Sequence, residues 1–413
     1  MARASPDLAE ASARVIPRPR RHLGSRSRSA GPGEPQLKRA VIVSSFVLPH
    51  SGGIEQFVDT ASALLKSRGW SVRVVACRPA DGPAAADVTL PTRFISPRGW
   101  PLPVRGWRAL WREVGGAEVV IVNGTRQVLP NVAALAARLR GRRTVFVLHG
   151  SGAPFSTSSF LYHRVLGSAF EWFVARTALR LSLPVSLSSA GVAGAQRRYG
   201  VKAAHVPYPL RELPAATPRS LDEAEPLRIV WVGRLFREKN PVQAVSVVER
   251  VRKHREATLD IYGDGVLMNE LAPLARDRPW LVLRGSRSWA RIQDAQNEAH
   301  ICLSTSLRDA TQIAILEPLA RGIPVVSTRV GDAPAHYVSS SLEKFCVDPG
   351  DPAAAASAIL TLASRYARNR KEFAANARRL RARHRGGSER LSLLIESARA
   401  AGPPPSLALS DRE

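Results

Sequence analysis

Three short stretches in the second half of the chain carry side chains whose types and spacing suit an anionic, hydroxyl-bearing ligand. In VGRLFREKN, Arg234 and Lys239 follow directly on a run of strand-forming residues and stand five positions apart. Arginine offers a planar fork and lysine a compact charge, so two such cations at a strand end are placed to hold a diphosphate. In STSLRDATQIAILEPLARGIPVVSTRVGD, Asp309 and Glu317 are separated by seven residues. A carboxylate at each end suits hydroxyl recognition, one on a sugar and one on a ribose. The backbone N–H groups of Thr311, Gln312 and Ile313 lie where a helix should begin and are free to receive phosphate oxygens. In YGDG, Gly263, Asp264 and Gly265 make a turn after a strand. Met268 occupies the place of a third glycine, so the stretch is not a dinucleotide fingerprint, and Asp264 reads first as a turn former.

The first half contributes two candidates. VIVSSFVLPHSGGIEQFVDTASALL runs from a buried strand through Pro49, His50, Ser51, Gly52 and Gly53 into a helical pattern from Ile54, with Glu55 in the first turn, where the helix dipole favours a negative charge. Gly52 and Gly53 let backbone come close to a ligand; a plain strand-to-helix turn is the alternative. His149, with Gly150, ends a strand at Thr144 to Leu148. It is either a site residue or a histidine satisfied within the fold.

The elements that must position these groups alternate strand and helix along nearly the whole chain. Strands are expected at 41–45, 71–76, 118–122 and 144–148, each followed by a helix, with a long helix over 160–181. Residues 211–226, RELPAATPRSLDEAEP, break the rhythm as a Pro-rich linker. A second series follows, with strands at LRIVWVG, ATLDIY, LVLRG, HICLSTS and IPVVSTR. The fold class is α/β, two doubly wound Rossmann-like domains facing across a cleft, with ligands at the carboxyl ends of the strands. The expected divisions are a basic arm at 1–38, a domain at 39–210, the linker, a second domain at 227–385, and a helix and tail at 386–413.

Composition bounds the partners. With 60 Lys and Arg against 34 Asp and Glu in 413 residues, the net charge is +26. Part of it sits in the first 39 residues, which are rich in Arg, Pro, Ser and Gly and read as disordered. Another part sits in RYARNRKEFAANARRLRARHR, residues 365–385. Such charge suits nucleic acid, an anionic membrane or acidic substrates. Residues 105–114 place Trp107, Leu110, Trp111 and Val114 on one helical side among arginines, a pattern shared by interfacial and core-facing helices. Three cysteines, Cys77, Cys302 and Cys346, lack metal-ligand spacing, and a reducing cytoplasm is the simple inference. No apolar run reaches the roughly 18 residues that span a bilayer.

These motifs resemble those of the GT-B glycosyltransferases of family 4, the retaining, nucleotide-sugar-dependent group, from about Arg39 to about residue 400. The family's Gly-Arg and later Lys are matched by Gly233, Arg234 and Lys239. Its Gly-Asp-Gly-like turn is matched by Gly263 to Gly265, and its acid, seven residues, then Glu by Asp309 and Glu317. Gly52 and Gly53 match its glycine-rich loop, and His149 its active-site histidine. The resemblance implies that Arg234 and Lys239 neutralise the donor diphosphate, Glu317 binds the ribose, Asp309 contacts the transferred sugar, and His149 donates or orients a hydrogen bond beside it. It implies no metal or other cofactor, a nucleoside-diphosphate sugar as donor, and a glycan, lipid-linked or small-molecule acceptor; the tryptophan-bearing helix and the basic surface point separately to peripheral contact at the inner face of an anionic membrane. The chain departs from the family pattern at Asp309, one methylene shorter than Glu, or roughly 1.5 Å. It departs also at Ala310 to Gln312 in place of Phe-Gly, at HVPYPL in place of Pro-Asn-Gly, and at Pro318. Away from a first turn a proline costs a helix roughly 3 kcal/mol or bends it. A basic nucleic-acid-binding protein on the same fold, and a GT-B protein that binds without transferring, are the alternatives; the chain shows neither helix-turn-helix nor aromatic-basic platforms.

Overall fold

The computed structural model describes residues 38–48, 52–79, 83–95, 100–150, 161, 163–211, 213, 216, 219–222 and 224–402. The basic arm before Lys38, Pro49, His50 and Ser51, parts of the 211–226 segment and the last eleven residues lie outside the described residues. The first half runs β1 (Lys38–Ser44), α1 (Gly53–Ser67), β2 (Trp70–Cys77), β3 (Val88–Leu90), β4 (Thr92–Ile95), β5 (Trp100–Pro103), α2 (Trp107–Gly115), β6 (Val119–Asn123), α3 (Val128–Leu139), β7 (Arg143–Leu148), α4 (Arg176–Arg180), β8 (Leu183–Ser186), α5 (Ser189–Tyr199) and β9 (Ala204–His205). The second half runs β10 (Leu227–Val232), α6 (Pro241–Arg252), β11 (Ala257–Tyr262), α7 (Met268–Arg276), β12 (Leu281–Gly285), α8 (Trp289–Glu298), β13 (Ile301–Leu303), α9 (Ile313–Arg321), β14 (Val325–Thr328), α10 (Ala333–His336), β15 (Cys346–Val347), α11 (Pro352–Ser364) and α12 (Tyr366–Ala400).

Two parallel sheets result. The first has seven strands in the order β3-β2-β1-β6-β7-β8-β9 and the second has six in the order β12-β11-β10-β13-β14-β15. Strands buried on both faces read as continuous apolar runs, and β1 shows why. Val41 and Val43 join Val120, Val122, Phe146 and Leu148 on one face, under Leu110 of α2 and Leu129 of α3. Ala40 and Ile42 join Ile121 and Val145 on the other, under Phe57 and Leu65 of α1. The register sets Ser44 opposite Asn123, and Asn123 opposite Val147, at the carboxyl ends of their strands.

The antiparallel hairpin β4–β5 leaves no sign in the sequence pattern. Its strands are four residues each, and Pro101 and Pro103 mask the strand signal while being tolerated at an edge. The helix expected over 160–181 is wound unusually. His163–Gly167 and Phe170–Ala175 are π-helical, with Ser168 and Ala169 α-helical between them and Arg176–Arg180 α-helical after them. Pro318 lies inside α9, which nevertheless continues to Arg321 and ends at Gly322 in the left-handed region.

Helix α12 runs without a break through residue 385. It starts on the second half, where Tyr366 donates to the His300 carbonyl at 3.0 Å. It ends on the first, where Glu396 accepts from Lys38 at 2.8 Å and from the Trp70 indole at 3.1 Å. Midway, His384 Nδ1 donates to the Tyr208 carbonyl at 2.7 Å. Next to it, Gly387 packs so closely on the Pro207 carbonyl that a side chain there would collide with it.

Candidate active site

The second half supplies three loops at adjacent strand ends. The loop after β10 stacks backbone on backbone with the loop after β11. Gly263 has φ +141°, and a Cβ there would collide with the Gly233 carbonyl, so only glycine fits. Gly233 N–H donates to the Tyr262 carbonyl at 3.0 Å. Asp264 closes this turn: its carboxylate accepts from Gly265 N–H at 2.7 Å, and its carbonyl from Leu235 N–H at 2.8 Å. Arg234 leaves the stack exposed, its guanidinium 5.7 Å from the Phe236 ring, with no ion pair among the described residues.

The same loop then turns toward β13. The Trp231 indole donates to Thr305 at 3.0 Å, and the Thr305 hydroxyl donates to the Asn240 carbonyl at 2.7 Å. Leu307 N–H reaches the Glu238 carbonyl at 2.8 Å. This lacing brings the Lys239 ammonium onto the Asp309 carboxylate as an ion pair. The other Asp309 oxygen accepts from Ala310 N–H at 2.8 Å. Two positions on, Gln312 has φ +48° and buries its side chain, accepting from Ser304 at 3.1 Å and donating to the Val330 carbonyl at 3.1 Å. Its amide is thereby spent inside the fold, while the first N–H groups of α9 remain outside the helical ladder. The Thr311 hydroxyl reaches across to the Leu187 carbonyl at 3.4 Å, and its own carbonyl accepts from His336.

Glu317 lies on α9 and is buried. Its two oxygens accept from the Trp289 indole at 3.2 Å and from Gln293 at 3.1 Å. Burial raises its pKa, and Trp289, Arg211, Gln293 and Arg321 oppose that rise. Neither Trp289 nor Gln293 stood out in the sequence, although their i, i+4 spacing on α8 puts both on one helical face. Arg211, at the start of the expected linker, pairs with Asp59 of α1 at 2.5 Å and stacks 5.3 Å from Trp289.

On the first half, His149 follows β7 and hydrogen-bonds through Nε2 to Asn123 Oδ1 at the end of β6. Asn123 spends its amide hydrogens on Ser44 at 3.2 Å and on the Ile54 carbonyl at 3.1 Å. Its oxygen therefore accepts, His149 Nε2 carries the hydrogen, and Nδ1 keeps a lone pair. Desolvation beside Phe57, whose ring stands edge-on at 5.3 Å, pushes the His149 pKa down to about 3. The imidazole is neutral at any ordinary pH. Asn123 fell at the end of an expected strand, and nothing local marked it as the partner of a residue 26 positions away.

The two halves meet at these loops. A Cβ on Gly53 would lie 2.7 Å from Ile313 Cδ1, and one on Gly150 would lie 2.5 Å from the Ala310 Cβ. His149 and Asp309 are thus chain neighbours of two residues in contact. Tyr208 donates to the Gly53 carbonyl at 3.2 Å. Asp332 accepts from the Ser189 backbone at 3.1 Å and from its hydroxyl at 2.6 Å. Gly52, extended at φ 174°, precedes this seam. The structure gathers Gly53, His149, Lys239, Asp309, Thr311 and Ile313 at one seam and sets Glu317 further along α9; Arg234, Gly263 and Asp264 line the adjoining loops of the second sheet. Among the described residues no group of three His, Cys, Asp or Glu side chains is placed to hold a metal ion.

Two parallel sheets whose carboxyl ends meet across a seam, with cations at one strand end and an acid-flanked helix start at the next, are the architecture of a GT-B glycosyltransferase. The family comparisons agree. A model described as glycosyl transferases group 1 matches residues 226–365, and one described as glycosyltransferase family 4 matches residues 51–208. The chain belongs to this glycosyltransferase family. A phosphatidylinositol N-acetylglucosaminyltransferase component from Arabidopsis thaliana is 24% identical over 340 residues, 77% of this chain and 73% of that protein. Sucrose-phosphate synthase from Thermosynechococcus elongatus superposes with a TM-score of 0.65 at 15% identity, covering 88% of this chain and all of that one. HepE from Anabaena, solved with UDP, gives 0.62 at 14% identity over 87% of this chain and all of that one.

Proposed function

We propose that the protein transfers a sugar, with retained configuration, from a nucleoside-diphosphate donor to a hydroxyl of a lipid-borne acceptor. The observation that carries this reading is the Lys239–Asp309 ion pair, set beside the open start of α9 and next to the Gly150–Ala310 contact that brings His149 alongside. Lys239 and Arg234 receive the diphosphate, aided by the N–H groups of Gln312 and Ile313. Glu317 accepts from ribose hydroxyls, and His149 Nδ1 accepts from a sugar hydroxyl. The bond from the sugar's anomeric carbon to the β-phosphate oxygen breaks, and the acceptor oxygen bonds to that carbon on the same face. The acceptor proton passes to the departing phosphate oxygen, and nucleoside diphosphate leaves. Catalysis then rests on positioning and on charge placed where it develops. The HepE complex with UDP supports the donor class, and the name of the Arabidopsis relative, a phosphatidylinositol N-acetylglucosaminyltransferase, supports a lipid-borne acceptor.

The test is transfer or donor hydrolysis by purified protein across a panel of UDP-, GDP- and ADP-sugars, comparing wild type with Lys239→Ala and Glu317→Ala. Turnover confined to the wild type is the expected result. Equal turnover in all three would overturn the reading.

A further inference from the structure

The described π-helical and α-helical stretch between β7 and β8 exposes five large apolar side chains: Leu161 at 71%, Val165 at 59%, Leu166 at 68%, Trp172 at 59% and Phe173 at 69%. A water-soluble surface does not ordinarily concentrate such residues in one short segment. A π-helical bond spans five residues and brings side chains four to five positions apart, such as Leu161, Val165 and Leu166, onto one side. The patch continues onto the β4–β5 hairpin. There the Trp100 ring meets Phe170 edge-on at 6.1 Å, and exposed Ile95 pairs opposite Trp100.

The charges around it have one sign. Arg164 and Arg180 are exposed and form no ion pair among the described residues. Arg176 lays its guanidinium 4.3 Å from the Trp172 ring. The one acid of the stretch, Glu171, is buried and faces Arg198 at 3.7 Å and Arg126 at 3.9 Å. In sequence the stretch follows the loop that carries His149, its first described residue coming twelve positions later. Across α3, on the same face of the sheet, an apolar hollow of about 270 Å³ lies between Trp107, Trp111 and Leu139.

We propose that this face docks on an anionic lipid bilayer, with Trp172 and Phe173 entering the interface and Arg164, Arg176 and Arg180 meeting lipid phosphates. Aromatic side chains beside arginines, with no exposed acid, match the apolar depth and negative potential of such a surface. A second copy is a poorer occupant: in a two-fold contact the patch faces itself and sets arginine against arginine. No helix among the described residues is long and apolar enough to cross a membrane. The proposal rests on this surface alone and stands apart from the transfer chemistry.

Flotation of the full chain with vesicles of phosphatidylcholine, with and without phosphatidylglycerol, tests it. At low salt the wild type floats with the phosphatidylglycerol vesicles. Trp172→Ser with Phe173→Ser weakens that binding by more than about tenfold, and Trp172→Phe with Phe173→Leu restores it. Arg164→Gln with Arg180→Gln weakens it about tenfold or more and removes the lipid preference. Unchanged thermal melting of each variant shows that the fold is intact. The proposal fails if the wild type does not float at low salt, if the serine pair binds as well as the wild type, or if the serine pair instead abolishes a concentration-dependent dimer.

Discussion

Gly150 and Ala310 touch across the seam between the two halves, with no space for one further methyl group. Gly150 also has φ +105°, a conformation that costs any other residue on the order of 1–3 kcal/mol. Gly150→Ala is therefore expected to force the seam apart, carrying His149 away from Asp309. Steady-state kinetics should show the donor KM rising at least about tenfold together with a fall in kcat.

Lys239 and Asp309 neutralise each other in the free protein. If Lys239 meets the leaving group, Lys239→Ala should lower kcat/KM about 10²- to 10³-fold, the cost of one oriented donor. Asp309→Asn frees the ammonium for phosphate. It should tighten nucleoside-diphosphate binding, read by calorimetry, while lowering kcat. Weaker binding by the asparagine variant would contradict the competition between carboxylate and diphosphate.

Glu317 is held by Trp289 and Gln293, and burial has already raised its pKa. If the ionised form accepts ribose hydroxyls, activity should fall as pH drops through that raised value. Gln293→Leu deletes a bond that favours the ionised carboxylate and moves the fall to higher pH. A pH profile of kcat/KM for the two proteins checks it; an unshifted acid limb would count against the assigned role.

His384 is buried, and its pKa is lowered to about 4. Its folded value lies below the unfolded one, near 6.5, so the unfolded chain binds the proton first. The stability it contributes is full above about pH 6.5 and is lost as pH falls toward 4, by up to about 1.4 kcal/mol per pH unit. His384→Asn keeps a donor toward the Tyr208 carbonyl and removes the titration. Thermal melts should show a shallower decline for the variant between pH 6.5 and 4.5.

If Arg234 and Lys239 meet the diphosphate in the place of a divalent ion, transfer should persist after EDTA treatment and dialysis. Activity abolished by EDTA and restored by magnesium or manganese would reassign the charge of the leaving group.

The strand and helix alternation was plain in the chain because each buried parallel strand is a β-branched run such as VIVS or VVIVN. Arg234, Lys239, Asp309 and Glu317 stood out because their spacing is local. What was hidden is non-local. The partner of His149 comes from another strand, and the partners of Glu317 from another helix. Trp172 and Phe173 look like core residues in sequence, because apolarity alone does not say which side of a helix faces the sheet. The arginine-rich run at 365–385 read as a helix charged on most faces; it opens α12, and what the charge hid is the buried apolar stripe of Phe373, Leu380, Leu391 and Ile395.

That helix has a mechanical corollary. A single stiff rod is anchored to both halves by side-chain contacts, and the chain that crosses from one half to the other passes beside it at Pro207 and Tyr208. Any widening or narrowing of the gap that admits donor must be absorbed where these two chain segments cross. The Gly387–Pro207 crossing is then the natural fulcrum, and a bulky residue at position 387 would jam the enzyme far from the sugar it handles.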